Sequence, residues 1–439
     1  MIDKIKNIFA IPDLRKKILF TLFILFIYRI GAHIPIPGIN PDALSSFFSQ
    51  SQGTLFGLFD MFVGGAFKRA TIFALGIMPY ISASIIIQLL GTVIPSIQQL
   101  QKEGQEGRAK ITQYTRYGTL ALASVQALGI SVWLLSIPPQ NGEPIIVQYF
   151  SPLRFKFFAV LSLTTGTVFI MWLGEQITAR GIGNGISLII FIGIVARLPY
   201  AIMNETKMLI SGTRSPFLEI VILAFIFAMV AFIVLVTLGQ RRIPIQTPKR
   251  VVGRKMYGGA SNFLPLRVNQ AGVIPVIFAS SIMAFPQTLA TFMPDSGFME
   301  WIANRFTPGA LLYNAFFGLL IVFFTYFYTA ITFNPLEVAD NLKKQGSFIP
   351  GKRPGRKTAQ YLDTILTRIT LPGAIFLALI AIAPFLLINV ANVSFFFGGT
   401  SVLIVVGVAL DTLQQIESQL MMRHYDGFLK KGRIRGRRG

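Results

Sequence analysis

The chain has 439 residues, of which 53% are hydrophobic and only 13% charged, against roughly 25% charged in an ordinary soluble domain, so too few polar groups remain to coat a water-soluble particle. Its formal charge is +22, and the absence of cysteine excludes disulfides, thiolate catalysis and Cys-ligated zinc or iron–sulfur clusters. With His33 and His424 as its imidazoles, neither an HExxH zinc site nor a His-based triad can be assembled.

A membrane-spanning helix needs about 20 mostly apolar residues, because in hydrocarbon every backbone N–H and C=O must be satisfied within the segment. Ten stretches qualify: residues 18–36, 71–94, 118–137, 155–174, 183–203, 217–238, 271–293, 309–332, 369–390 and 398–420. The expected fold class is therefore an all-α polytopic membrane protein with ten transmembrane helices. Arg15, Lys16 and Lys17 precede the first run as in a secretory leader, but it ends in His33-Ile34-Pro35-Ile36-Pro37 without a small-x-small cleavage site, so it is read as retained. Arg29, near that span's outer end, can snorkel, which favours a structural role.

Residues 53–70, which include Asp60, Met61, Phe62, Gly64 and Gly65, are apolar enough to bury and too short to span. Such a half-helix is tolerated at membrane depth only inside protein or beside a water-filled cavity; an amphipathic segment on the surface is the other reading. Ser82, Ser84 and Gln88 lie on the second span, with Pro79 inside it. Asn269 and Gln270 mark the mouth of the seventh, Pro275 its start, and Pro372 and Pro384 interrupt the ninth. Prolines of this kind kink helices in channels and in passive bundles alike. A proton or sodium relay needs paired acids on separate helices; the nearest candidates, Glu175 and Asp411, both sit near a span boundary.

With ten spans both termini share a side, and the loops sort into two sets. The N-terminal segment, 95–117, 174–184, 239–268, 333–369 and the tail after 420 hold 31 of the 40 Lys and Arg residues, which places that side in the cytoplasm. Residues 239–268 carry seven basic residues, Arg241, Arg242, Arg254 and Lys255 among them, and no acid. That exceeds what orientation requires and suits an anionic partner such as RNA. Arg353 stands between Lys352 and Pro354 at a Gly/Pro-flanked tip of the 333–369 loop. The tail after Lys430 suits anionic lipid headgroups or RNA equally.

The stretch Ala74-Leu75-Gly76-Ile77-Met78-Pro79-Tyr80-Ile81-Ser82-Ala83-Ser84-Ile85-Ile86-Ile87-Gln88-Leu89-Leu90 closely resembles the second span of the SecY family, the pore-forming subunits of the bacterial Sec protein translocon. Met171-Trp172-Leu173-Gly174-Glu175-Gln176-Ile177-Thr178 with Arg180-Gly181-Ile182-Gly183-Asn184-Gly185-Ile186-Ser187 is similar to its fourth-to-fifth span hairpin. Asn334-Pro335, Ala339-Asp340-Asn341-Leu342-Lys343-Lys344 and Pro350-Gly351-Lys352-Arg353-Pro354-Gly355 are similar to its fifth cytoplasmic loop. The likeness runs essentially end to end.

The resemblance implies two pseudo-symmetric five-helix halves, 1–212 and 213–439, around a central hourglass pore in the plasma (inner) membrane, with both termini cytoplasmic. Unfolded secretory chains would pass through it, and transmembrane segments would leave sideways between spans two and seven, a lateral gate to which Ser82, Gln88 and Asn269 are assigned. Residues 53–70 become the plug. Ile77, Ile81, Ile190, Ile277 and Ile404 become the pore ring; of these, Ile77 and Ile81 share a helix face by their spacing. A nonpolar collar dewets when narrow and yields to a passing side chain. Asp60 departs from the family, where relatives often carry Asn. Implied partners are the small membrane subunits SecE and SecG, the SecA ATPase, the ribosome through its rRNA and proteins, signal peptides, unfolded preproteins and anionic lipids. Docking falls to Arg241, Arg242, Arg254, Lys255 and Arg353. No cofactor, metal or catalytic residue is expected. A secondary transporter or an intramembrane enzyme are the alternatives; the first lacks buried acids, the second a nucleophile or metal cluster.

Overall fold

The computed structural model describes residues 11–50, 60, 63–139, 144–147, 151–213, 215–246, 250–252, 255–257, 261–292, 310–391 and 399–431. Each of the ten expected spans falls on helix within these limits. The first is α1 (Pro12–Gly31), followed by a short α2 (Pro41–Gln50). The second is α3 (Met78–Val93), continued by α4 (Pro95–Lys102) after a bend of 101°. Pro95 causes that bend: it drives Ile94 to an extended φ of -95° and ψ of 114°, which a helix cannot continue.

Next come α5 (Gln105–Ser136), α6 (Pro152–Arg180), α7 (Gly185–Val195), α8 (Leu198–Ile210) and α9 (Pro216–Leu238). Four strands follow, β1 (Gln240–Gln246), β2 (Arg250–Val252), β3 (Lys255–Tyr257) and β4 (Ser261–Arg267), and then α10 (Ile274–Phe292), α11 (Leu311–Thr332), α12 (Pro335–Lys344), α13 (Arg356–Ala391) and α14 (Gly399–Lys431). Seven helical segments are long and apolar enough to cross a membrane, eight with the bent α3–α4 pair, among the described residues. The protein is a multi-pass membrane protein. Large apolar side chains such as Phe217, Phe227 and Leu235 on α9 are exposed, as lipid rather than water would allow.

Pro79 does not interrupt its span. The helix begins at Met78, so the proline occupies the first turn, where its missing N–H would have no partner anyway. Pro372 and Pro384 do lie inside α13. Buried threonines return their hydroxyl to the carbonyl one turn back, as Thr119 does to Thr115 at 2.7 Å and Thr325 to Ile321 at 2.6 Å, which makes a polar side chain tolerable in a span.

The chain divides into two compact units, Met1–Asn204 with Ala284–Asn304 and Val408–Gly439, and Glu205–Met283 with Arg305–Gly407. In the first, α5 packs on α6 and α3, and α6 on α7. Ala123, Ala127 and Ala159 are fully buried, small residues that let helices approach closely where no hydrophobic gradient drives them together. An aromatic cluster closes one part of this unit: Phe67 stacks on Trp133 at 5.9 Å, and Phe48 meets Phe67 edge-on at 5.8 Å. Arg116 on α5 forks onto Glu175 of α6 at 2.9 and 2.7 Å, so this acid is committed to an ion pair.

In the second unit the segment read as a loop, 239–268, contains structure. β1 pairs antiparallel with β4 and β2 with β3. Ile243 and Ile245 of β1 point inward while Arg241, Arg242, Pro244 and Gln246 face out, the period-two pattern of a half-buried strand.

Candidate functional site

Residue 60 and residues 63–70 of the 53–70 segment are described, and they are held by three parts of the first unit. The turn begins at Asp60, whose backbone carbonyl accepts from Gly65 N–H at 3.0 Å and whose Oδ1 accepts from Lys68 N–H at 3.0 Å. Gly64 and Gly65 take φ of +70° and +90°, a left-handed conformation that glycine adopts without a Cβ clash. The segment then joins residues beyond α1 by a two-sided pairing, Ile36 N–H to Ala70 O at 2.9 Å and Ile72 N–H to Ile34 O at 3.0 Å.

Two of its contacts are with glycines that neighbour candidate ring positions in the sequence. Val63 is buried against Gly76, the neighbour of Ile77: a methyl group on Gly76 would sit 3.1 Å from Val63 Cγ2. Gly64 lies against Gly193 of α7, where a methyl would come within 2.8 Å of the Gly193 carbonyl oxygen. Gly193 is three residues after Ile190 and shares its helix face. From α1, the Tyr28 hydroxyl and Arg29 Nη1 donate to the carbonyls of Val63 and Gly64, each at 3.4 Å. One residue that the sequence did not single out completes the seat: Arg197, at the end of α7, places Nη2 2.8 Å from Asp60 Oδ2. Its signal was available as a lone cation inside the 183–203 run. Met61 and Phe62 lie outside the described residues.

The hairpin that carries Ile190 is fixed by side chains at its turn. Ile182 N–H donates to the buried Thr21 Oγ1 of α1 at 3.0 Å, Gly183 N–H to Gln415 Oε1 of α14 at 3.0 Å, and Asn184 caps α7 by accepting from Ile186 and Ser187 N–H. Ile77 precedes the first turn of α3 and Ile81 closes it, with Ile81 N–H on the Ile77 carbonyl at 3.1 Å. All five ring candidates are buried: Ile77, Ile81 and Ile190 belong to the first unit, Ile277 and Ile404 to the second. Of the gate candidates, Ser82 and Gln88 lie on α3, where Gln88 donates to Ser84 at 3.1 Å, and Asn269 lies in the other unit, buried, its Oδ1 without a hydrogen bond among the described residues.

The basic segments of the second unit form one body. Gln246 at the end of β1 and Phe348 after α12 exchange both backbone hydrogen bonds, at 2.9 and 3.0 Å. Beneath them, Ile243 and Leu266 of the hairpin, Ile349, and Leu362, Ile365 and Leu366 of α13 share an apolar core. Asn334 caps α12, and its Oδ1 accepts from Leu336 N–H at 3.1 Å, with Pro335 in the first turn. Arg241, Arg242 and Arg353 are exposed on this body. The tip at Arg353 is turned by Gly351 and Gly355, both at positive φ, and tied by Thr358 Oγ1 donating to the Arg353 carbonyl at 2.8 Å. Lys352 Nζ lies 5.0 Å from the Tyr361 ring centre, a cation–π contact that anchors the tip to α13. The backbone of Lys255 lies in β3, and Arg254 is outside the described residues.

Over residues 71–413 the sequence matches the family model described as SecY. The chain belongs to the SecY family. A SecY protein translocase subunit of Aquifex aeolicus is 48% identical over 432 residues, covering 98% of this chain and 100% of that one. Its counterpart from Streptomyces griseus is 51% identical over 434 residues, covering 96% and 98%. A solved SecY structure, described as showing that the plug domain stabilizes the closed state of the translocation channel and maintains a membrane seal, shares the fold at a TM-score of 0.64 with 17% identity over 92% of each chain. The matched range takes in all five isoleucines, Ser82, Gln88 and Asn269, and the body that carries Arg241, Arg242 and Arg353.

Proposed function

We propose that this chain is the central, passive conduit of a protein translocase in the plasma membrane, with both termini in the cytoplasm. Unfolded secretory polypeptides pass through it, and transmembrane segments leave sideways past Ser82, Gln88 and Asn269. The observation that carries this reading is the seating of Asp60 and residues 63–70, part of a stretch too short to span, with Val63 and Gly64 against Gly76 and Gly193, the first next to Ile77 and the second one turn from Ile190. Family membership supplies the transported class, because the SecY relatives are translocase subunits. In this account 53–70 is the plug, and the halves 1–212 and 213–439 part around the isoleucines. A collar of branched aliphatic side chains blocks ions by dewetting and holds no passing residue by hydrogen bonds.

The chain offers no group to supply energy, so the drive comes from partners. Arg241, Arg242, Arg254, Lys255 and Arg353 form the cytoplasmic surface for SecA or the ribosome, with SecE and SecG as membrane neighbours. Arg241, Arg242 and Arg353, exposed on one packed base, suit carboxylate and phosphate partners, since their charge steers encounter and their fork fixes orientation. Proteoliposomes containing the chain and its small subunits test the whole reading. ATP- and SecA-dependent protection of an unfolded preprotein from added protease is the expected result; uptake of a small solute down an ion gradient without preprotein uptake would replace the conduit with a transporter.

A further inference from the structure

The ion pair under the plug is asymmetric. Asp60 has no exposed side-chain surface, whereas Arg197 retains 31%. The carboxylate divides its work: Oδ1 closes its own turn through Lys68 N–H, and Oδ2 reaches out of the segment to Arg197 Nη2. Gly193 lies three residues beyond Ile190 on α7 and Arg197 two residues past that helix's last residue, so the close glycine contact and the ion pair both fall at the C-terminal end of the helix that carries the candidate ring side chain. Among the described residues, the other side-chain holds on the segment from outside it, by Tyr28 and Arg29, end on backbone carbonyls at 3.4 Å. The Asp60–Arg197 contact is the short one and carries opposite charges at low dielectric.

From this geometry we propose that Asp60 and Arg197 form a charge-paired latch that sets how firmly the plug is seated in the idle channel. The proposal rests on reading 53–70 as the plug. Lifting the plug must separate the two charges, and the burial of Asp60 fixes the consequence of losing either one. A carboxylate left in its pocket without Arg197 has no counter-charge and is expelled towards water, taking the plug with it. An Arg197 left without the carboxylate keeps its route to solvent, so the loss is smaller. Neutralising both removes the attraction and the burial penalty together, which is far milder than breaking the pair from the arginine side.

Single-channel recording of the full chain in its membrane complex reads this as the idle open probability. Arg197→Gln is expected to raise it by about tenfold or more, and Asp60→Asn by less, since Asn keeps the shape and can still accept from Lys68 N–H. Asp60→Asn added to Arg197→Gln should bring the leak back to the Asp60→Asn level. If Arg197→Gln alone gives no monodisperse complex, the double variant decides: recovery of a monodisperse, tight channel supports the pair, and failure to recover overturns it. A deletion of residues 58–65 serves as reference. A leaking deletion with an ion-tight Arg197→Gln refutes the latch and leaves the plug standing; an ion-tight deletion removes the plug reading itself. A double variant as leaky as Arg197→Gln would also overturn the latch, by assigning the effect to the lost arginine alone.

Discussion

Gln246 and Phe348 exchange a pair of backbone hydrogen bonds, at 2.9 and 3.0 Å, and so join two basic segments that the sequence separates by two spans. A docking surface assembled from two loops needs such a joint, because charges on independent loops would each lose orientation freedom when a partner binds.

The core below that joint should be separable from the pore. Leu362 is fully buried there, and Leu362→Ala is expected to cost about 2–5 kcal/mol locally. SecA affinity should fall while idle conductance stays at the wild-type level. Titration of SecA against the reconstituted variant, beside bilayer recording, checks both.

Arg353 is exposed, and its described bond to the rest of the platform is made through its backbone carbonyl. Arg353→Glu should therefore leave insertion and folding intact while lowering preprotein translocation by about tenfold or more, through repulsion of the anionic partner. Wild-type rates with intact SecA binding would show that the tip is not a docking site.

Gly64 tests how closely the proposed plug must fit. An added Cβ meets the Gly193 carbonyl oxygen at 2.8 Å and forces an L side chain into φ +70°, a combined penalty of about 1–3 kcal/mol. Gly64→Ala should raise idle leak with no loss of SecA binding; Gly65→Ala, which meets nothing within 4 Å, should leak less than Gly64→Ala, since it carries backbone strain without the clash. Recording the two variants side by side makes the comparison.

The isoleucines should seal jointly, because a hydrophobic constriction excludes ions only when its whole circumference is nonpolar. Ile81→Asn with Ile277→Asn should conduct more than either single change. A stable, ion-tight double variant would refute the ring assignment, and a variant that loses yield without conducting would assign these positions to packing.

The spans were legible because hydropathy is local, and all ten expected stretches fall on helix. Helix caps are equally local, at Asn334 and Asn184, but those stretches carry the family likeness in the sequence analysis and are not read there as helix starts. The hairpins of 239–268 were missed although Ile243-Pro244-Ile245 carries the alternating pattern, since seven basic residues dominated the reading of that stretch. Arg197 was missed for a different reason. Its meaning comes from Asp60, and nothing along the chain announces that a plug turn will fold onto the end of α7. Arg29 was read as a snorkelling cation, yet its guanidinium turns to the Gly64 carbonyl. Distant polar pairing is where a sequence read alone is weakest, and the seat of the proposed plug combines it with the close glycine contacts at Gly76 and Gly193.

The central claim is that polypeptide passes through the interior of this chain, and the absence of cysteine from the sequence allows a direct test. A single cysteine is placed at Ile81, buried at the start of α3, and in a second variant at Phe227, 76% exposed on α9. A preprotein carrying one cysteine is arrested part-way by a folded C-terminal domain, and disulfide adducts are measured under mild oxidation. The account predicts an adduct at residue 81, dependent on ATP and SecA, and none above background at residue 227. Equal adducts at both positions, or none at residue 81 while translocation proceeds, would contradict it.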